Sequence, residues 1–179
     1  GWNSGRATMI LGTTAMVGQS FAQPVFDPPD LGLLFTLPGQ RWFRAMVNVA
    51  GTLNLDWALS TLAPDLTTTA DPFAGLEARA ARSPIGAGGV SYLPYLSDSG
   101  IIAPVIDPEA RAGFSGLTPR HGPHDMLRAV YEGVAFSLVD LLDLTGFSGD
   151  RIALVGGGAQ SAIWPAMIAD ITGKAVDLF

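Results

Sequence analysis

The sequence predicts an α/β domain, a mixed sheet flanked by helices, on three observations. Its opening carries β-forming runs punctuated by Gly turns, and its middle switches to helical period. Its end returns to strand, Gly-rich turn, helix and strand.

Residues 7–17 (ATMILGTTAMV) read as a strand, a Gly-Thr-Thr turn and a second strand, because Thr, Met, Ile and Leu suit the pleat and Gly12 interrupts it. Residues 31–37 and 41–49 are two further strand candidates split by Pro38-Gly39, and the group suggests three strands in a meander. At 51–62 the period changes: Leu55, Leu59 and Leu62 share a helix face, and Pro64 ends the run. Asp71-Pro72 predicts an N-cap with Pro at the first helical position, opening a helix to about Arg82. Residues 85–89 form a Gly-rich loop, 90–96 a strand, and 98–117 a long irregular stretch of the kind usually kept for function.

Pro123 opens the strongest helix. Met126, Val130, Val134, Leu138 and Leu142 repeat every fourth residue, Leu127 and Leu141 widen the stripe, and Gly146 stops it. Residues 151–155 read as a short strand. A helix then starts at Ser161, with Ile163, Met167 and Ile171 on one face and Gly173 at its end. Residues 175–179 begin another strand. An α/β domain rarely stops on a half-made strand, so the chain is expected to be truncated there.

Length and composition fit one globular domain with a real core: 179 residues, 48% apolar and only 15% charged. The formal charge of −6 without a Lys/Arg cluster argues against nucleic acid as the main partner. It leaves nucleotides open, because backbone amides and helix N-termini hold phosphates without net positive charge. Cysteine is absent, which removes disulfides and thiolate metal sites, and the two histidines, His121 and His124, sit in no metal-binding frame. A transient Mg²⁺ held by carboxylates and phosphates stays open. Aliphatic runs are too short to span a membrane, and the opening residues lack the order of a signal peptide, which favours the cytoplasm.

Three segments could carry chemistry. Gly12-Thr13-Thr14, between two strands, can expose consecutive amides and two hydroxyls to a phosphate; a plain hairpin turn is the other reading. Gly156-Gly157-Gly158-Ala159-Gln160-Ser161, between a strand and a helix, lets a flat ligand approach the backbone; a strand–helix turn needing small residues is its alternative. It is neither a P-loop nor GxGxxG. Gly51-Thr52 at a helix start can face a phosphate or simply cap the helix. Asp98, Asp107, Glu109 and Arg111 read as loop charges able to position a substrate or a partner domain. Histidines 121 and 124 read as capping or surface residues, Glu132 as a solvated or interface carboxylate, and Trp2, Trp42, Trp57 and Trp164 as core or edge aromatics.

Residues 112–132 (AGFSGLTPRHGPHDMLRAVYE) carry a resemblance. They are similar to the second sequence signature of the FGGY carbohydrate kinases: Ala112, Phe114, Gly116 and Leu117 fit its first half, and Asp125, Met126, Ala129, Val130, Tyr131 and Glu132 its second. In order with it, Leu11-Gly12-Thr13-Thr14 looks like the family's phosphate-contacting hairpin. Tyr92-Leu93-Pro94-Tyr95-Leu96 resembles its aromatic-Pro-Tyr-Leu run. Residues 156–161 with Trp164, Ala169 and Asp170 resemble its adenosine loop and helix. One departure stands out, since Ser97-Asp98-Ser99 occupies the place of the frequent Gly-Glu-Arg.

The resemblance implies a ribonuclease H-like (actin/hexokinase-type ATPase) domain, residues 1–179 being the C-terminal, ATP-binding half, truncated at both ends. Gly12, Thr13 and Thr14 would meet the terminal phosphates, and Gly51 and Thr52 would lie near the phosphates or ribose. Gly157, Gly158 and Ala159 would pack on the adenosine, with Ser161 and Ala162 nearby. The implied reaction is ATP- and Mg²⁺-dependent phosphorylation of a sugar or polyol hydroxyl, a xylulose-like pentulose favoured. Most sugar contacts would belong to an N-terminal domain. The catalytic Asp is expected upstream of Gly1, so the fragment alone is expected to be inactive. A homodimer through an exposed domain-facing surface is left open. The alternatives are a non-catalytic actin-like nucleotide-binding domain, which would lack the signature at 112–132, and an unrelated α/β binding module.

Overall fold

The computed structural model describes residues 5–179; Trp2, read above as a core or edge aromatic, lies outside them. A hairpin of β1 (Ala7–Leu11) and β2 (Ala15–Phe21) sits at the centre, in register Leu11 opposite Ala15 across the Gly12-Thr13-Thr14 turn. On one side β2 pairs antiparallel with β4 (Arg41–Asn48), and β4 with β3 (Leu33–Leu37). On the other, β7 (Arg151–Val155) runs parallel to β1, and β8 (Ala175–Leu178) parallel to β7. The order is β3-β4-β2-β1-β7-β8, a mixed sheet as expected.

The meander is corrected. There are four antiparallel strands, and β4 rather than β3 lies beside β2. Burial gives the reason. Residues 43–48 of β4 are buried without alternation, so both faces of that strand are covered and it must be internal. Strand β3 exposes Leu33 and Phe35 and takes the edge.

Helix α1 (Leu53–Leu62) follows the sheet, then α2 (Pro72–Ala80), whose Asp71 cap accepts from the Ala74 amide at 3.0 Å. The strand expected at 90–96 is shorter, β5 (Ser91–Leu93), because Pro94 cannot donate to a ladder. It pairs with β6 (Gly113–Ser115), a strand inside the stretch read as irregular; Tyr92 lies opposite Phe114.

The long helix α3 (Pro123–Leu144) begins at Pro123 as predicted, and Gly146 follows its end with φ 66°. Val130, Val134, Leu138 and Leu142 are buried against Met9, Leu11, Val17, Met46, Ile152 and Leu154 of one sheet face; each such side chain is worth roughly 1.5–3 kcal/mol. Helices α1 and α2, and α4 (Trp164–Thr172), pack in turn on α3. Helix α4 starts at Trp164, three residues later than expected. Ser161 is extended, and its Oγ accepts from the amides of Ile163 (3.2 Å) and Trp164 (3.1 Å). Among the described residues no helix is long and apolar enough to cross a membrane.

Candidate nucleotide site

The Gly12-Thr13-Thr14 turn projects from the central hairpin at the same edge as the start of α1. Gly12 tightens it by donating to the Thr14 carbonyl at 3.2 Å, and Thr13 and Thr14 are exposed. Among the described residues the amides of Thr13 and Thr14 and the Thr13 hydroxyl have no intrachain hydrogen-bond partner, while the Thr14 hydroxyl donates to the Val49 carbonyl at 3.4 Å. The turn does not stand free. The amide of Gly51 donates to the Thr13 carbonyl and that of Thr52 to the Gly12 carbonyl, both at 2.7 Å. These two amides, read above as near phosphates or ribose, are thus committed to the hairpin; what Thr52 can offer outward is its side chain. A Cβ on Gly51 would fall 2.8 Å from the Ala15 nitrogen and closer still to the Gly12 oxygen. The glycine is there for close backbone approach.

The second Gly segment meets the first at Leu11. Gly156 has φ 92°, and a Cβ there would lie 2.7 Å from the Leu11 carbonyl; a Cβ on Gly158 would run into the Leu11 side chain. Gly157 differs, since nothing lies within 4 Å of the Cβ position and the residue is exposed. Above it opens a cleft of about 340 Å³ lined by Thr52, Phe73, Glu77, Gly157, Gly158 and Ser161 among others. Ala159 does not line it, because the tight turn sends its methyl into the core. Ala162 is exposed beside the cleft and uses its amide elsewhere.

That amide goes to Glu77, the central residue missed from sequence. Its carboxylate accepts from the Ser161 hydroxyl at 2.6 Å and from the Ala162 amide at 3.0 Å, tying α2 to the entry of α4. Phe73, 43% exposed, lies four residues earlier on the same helix face. That i, i+4 pair was the available signal: an exposed aromatic with a carboxylate one turn on. Trp164, read as a core or edge aromatic, is buried; its indole Nε1 donates to the Tyr131 carbonyl at 3.0 Å. The Tyr131 hydroxyl is sealed with no hydrogen-bond partner among the described residues, and burial, with the charge of Glu77, holds that phenol well above its ordinary range.

The remaining candidates lie apart from the cleft. Asp107 accepts from the Glu109 amide, and Arg111 donates to the carbonyls of Pro108 and Ala110, so these charges hold the turns of their own loop. Asp98 is exposed. His121 spans two loops: its Nδ1 accepts from the Thr118 amide (2.9 Å), leaving Nε2 to donate to the Gly88 carbonyl (3.1 Å). Glu132 is not solvated. It is buried, accepting from Arg128 Nε at 2.6 Å and from the Gly86 amide at 3.0 Å, and it clamps the left-handed run at 86–89. No group of three or more His, Asp or Glu able to hold a metal gathers among the described residues.

The central hairpin, the parallel strands beside it and the helices over one face define the actin/hexokinase ATPase fold. Comparison with known proteins makes the class specific. Residues 7–179 match the sequence model described as "FGGY family of carbohydrate kinases, C-terminal domain", and the chain belongs to that family. Xylulose kinase of Escherichia coli K12 is 38% identical over 141 residues, 77% of this chain and 28% of that protein. Gluconokinase of Bacillus subtilis strain 168 is 29% identical over 176 residues, 93% of this chain and 34% of that protein. The crystal structure of ligand-bound xylulose kinase from Lactobacillus acidophilus superposes with a TM-score of 0.83 at 26% identity, over 98% of this chain and 35% of that one. The chain thus spans only 28% to 35% of the length of these relatives.

Proposed function

We propose that this chain is the ATP-binding part of a carbohydrate kinase that phosphorylates a sugar or polyol hydroxyl, a xylulose-like pentulose being the favoured substrate. A separate N-terminal domain supplies most sugar contacts and the general base. The observation that carries the reading is the placement of the open Gly157 face beside the Gly12-Thr13-Thr14 turn, with Thr52 joining the two.

The residues fit a nucleotide. A cleft of about 340 Å³ falls within the ordinary range of small-molecule sites, roughly 300–1,000 Å³. Gly157 admits a flat ring onto the backbone, Phe73 offers an apolar wall, and the unpaired amides of Thr13 and Thr14 with the Thr13 hydroxyl suit the terminal phosphates. Ser161 borders the adenosine end while Glu77 keeps it in place. Mg²⁺, when bound with ATP, offsets phosphate charge during transfer. This chain's part in the reaction is positioning: it holds the phosphate chain in line with the acceptor hydroxyl and leaves proton removal to the other domain.

Calorimetric titration of Mg²⁺-ADP into the wild type and a Gly157→Trp variant tests this. The Cβ position of Gly157 is open and its backbone is not in the left-handed region, so a side chain can start there without backbone clash. Binding by the wild type and none by the variant supports the reading. Equal binding by both places the nucleotide elsewhere, and no binding by the wild type removes the nucleotide role from the isolated chain.

A further inference from the structure

We propose that Tyr92 is a positioning residue for the phosphate end of the site, acting through Asn54 without touching the nucleotide. The inference rests on the proposed nucleotide reading, but its test separates the two.

The hairpin is held at its tip by the Gly51 and Thr52 amides, so its position depends on the turn at 50–52. That turn is held from behind by two buried asparagines. Asn48 Oδ1 accepts from the Ala50 amide at 3.0 Å. Asn54, fully buried, turns its Nδ2 to the carbonyls of Ala50, Gly51 (3.0 Å) and Pro94 (3.3 Å). A carboxamide has two ends of nearly equal shape, and only the NH₂ end can donate to these carbonyls. The Tyr92 hydroxyl decides which end faces them by donating to Asn54 Oδ1 at 2.8 Å. Without it a buried acceptor is left unpaired, and rotation of the amide would set an oxygen against the carbonyls of the turn.

Tyr92 is itself rigid. It is 5% exposed, stacks on Trp57 with ring centroids 6.3 Å apart, and lies 4.7 Å from Phe114 across the β5–β6 pair. Burial pushes its phenol up to about 12, so the hydroxyl stays a donor throughout the neutral range. A Tyr92→Phe variant keeps the rings and the fold and removes only the hydrogen bond.

The experiment compares wild type and Tyr92→Phe in two measurements: calorimetric affinity for Mg²⁺-ADP and for adenosine, and amide exchange at Gly51 and Thr52 without ligand. The expected result is a Mg²⁺-ADP affinity lowered about fivefold, the loss of roughly one net hydrogen bond. Adenosine affinity is unchanged, and exchange at Gly51 and Thr52 is faster. Equal weakening toward both ligands, or no change toward either, overturns the proposal. If the wild type binds neither ligand, the nucleotide reading fails by itself and exchange decides the rest: faster exchange supports the role of Tyr92 in holding the turn, and unchanged exchange overturns it.

Discussion

The amide of Gly51 lies 2.7 Å from the carbonyl oxygen of Thr13, which makes the start of α1 and the tip of the central hairpin one mechanical unit. Two segments that are far apart in sequence therefore form one wall of the candidate site.

Gly51→Ala tests how tight that unit is. The added methyl would press on the backbone of Gly12, Thr14 and Ala15 rather than on flexible side chains. The expected destabilisation is about 1–3 kcal/mol in a urea titration, as for overpacked core positions, and Mg²⁺-ADP affinity should fall with it. Gly157→Ala, placed in open space, should leave stability within about 0.5 kcal/mol of wild type.

Glu77→Ala removes the acceptor shared by Ser161 and Ala162. Both donors stand partly open to solvent, so water can replace the lost partner in part. Stability should fall by about 1–2 kcal/mol. Exchange at the Ala162 amide should accelerate, and adenosine should bind more weakly because α2 is no longer tied to the entry of α4, even though the Ile163 and Trp164 amides still hold Ser161 Oγ. Unchanged exchange at Ala162 would count against the Glu77 tie.

Asp125 is expected to shape the acid limb of stability. Its carboxylate accepts from the Ser83 hydroxyl at 2.6 Å and from the Gly122 amide at 2.9 Å, and these bonds, with the nearby histidines, hold it below its ordinary value of 3.8. A carboxylate with a depressed folded value contributes stability above its unfolded value and loses it as pH falls through the folded one. The stability advantage of wild type over Asp125→Asn should therefore be full at neutral pH and shrink below about pH 4. Paired denaturation curves between neutral and acid pH check this. An advantage that does not change with pH would assign the effect to packing instead.

Much of the architecture was legible from local pattern. The period switch at residue 51, the Asp71-Pro72 start of α2, the Pro123 start of α3 and the Gly173 stop of α4 all stand where caps and periodicity put them. The strand order was not legible, because β3 and β4 are both plausible neighbours of β2 by composition. What separates them is burial on two faces, which depends on what packs above and below. Strand β6 was hidden for a similar reason: Gly113, Phe114 and Ser115 have no strand pattern of their own, and it is the fold that sets them opposite Ser91–Leu93.

The candidate site divides the same way. The sequence by itself determined the two Gly segments and the hydroxyls beside them, since backbone approach and outward amides need particular residue types at particular places in the chain. Only the tertiary structure decided that Glu77 and Phe73 join the cleft, that Ala159 turns inward, and that the Gly51 and Thr52 amides serve the hairpin. It alone brought Tyr92 onto Asn54, 38 residues apart in the chain. A carboxylate or an amide can serve a surface, a cap or a buried network equally well, and its role is settled by which groups the fold places within hydrogen-bonding distance.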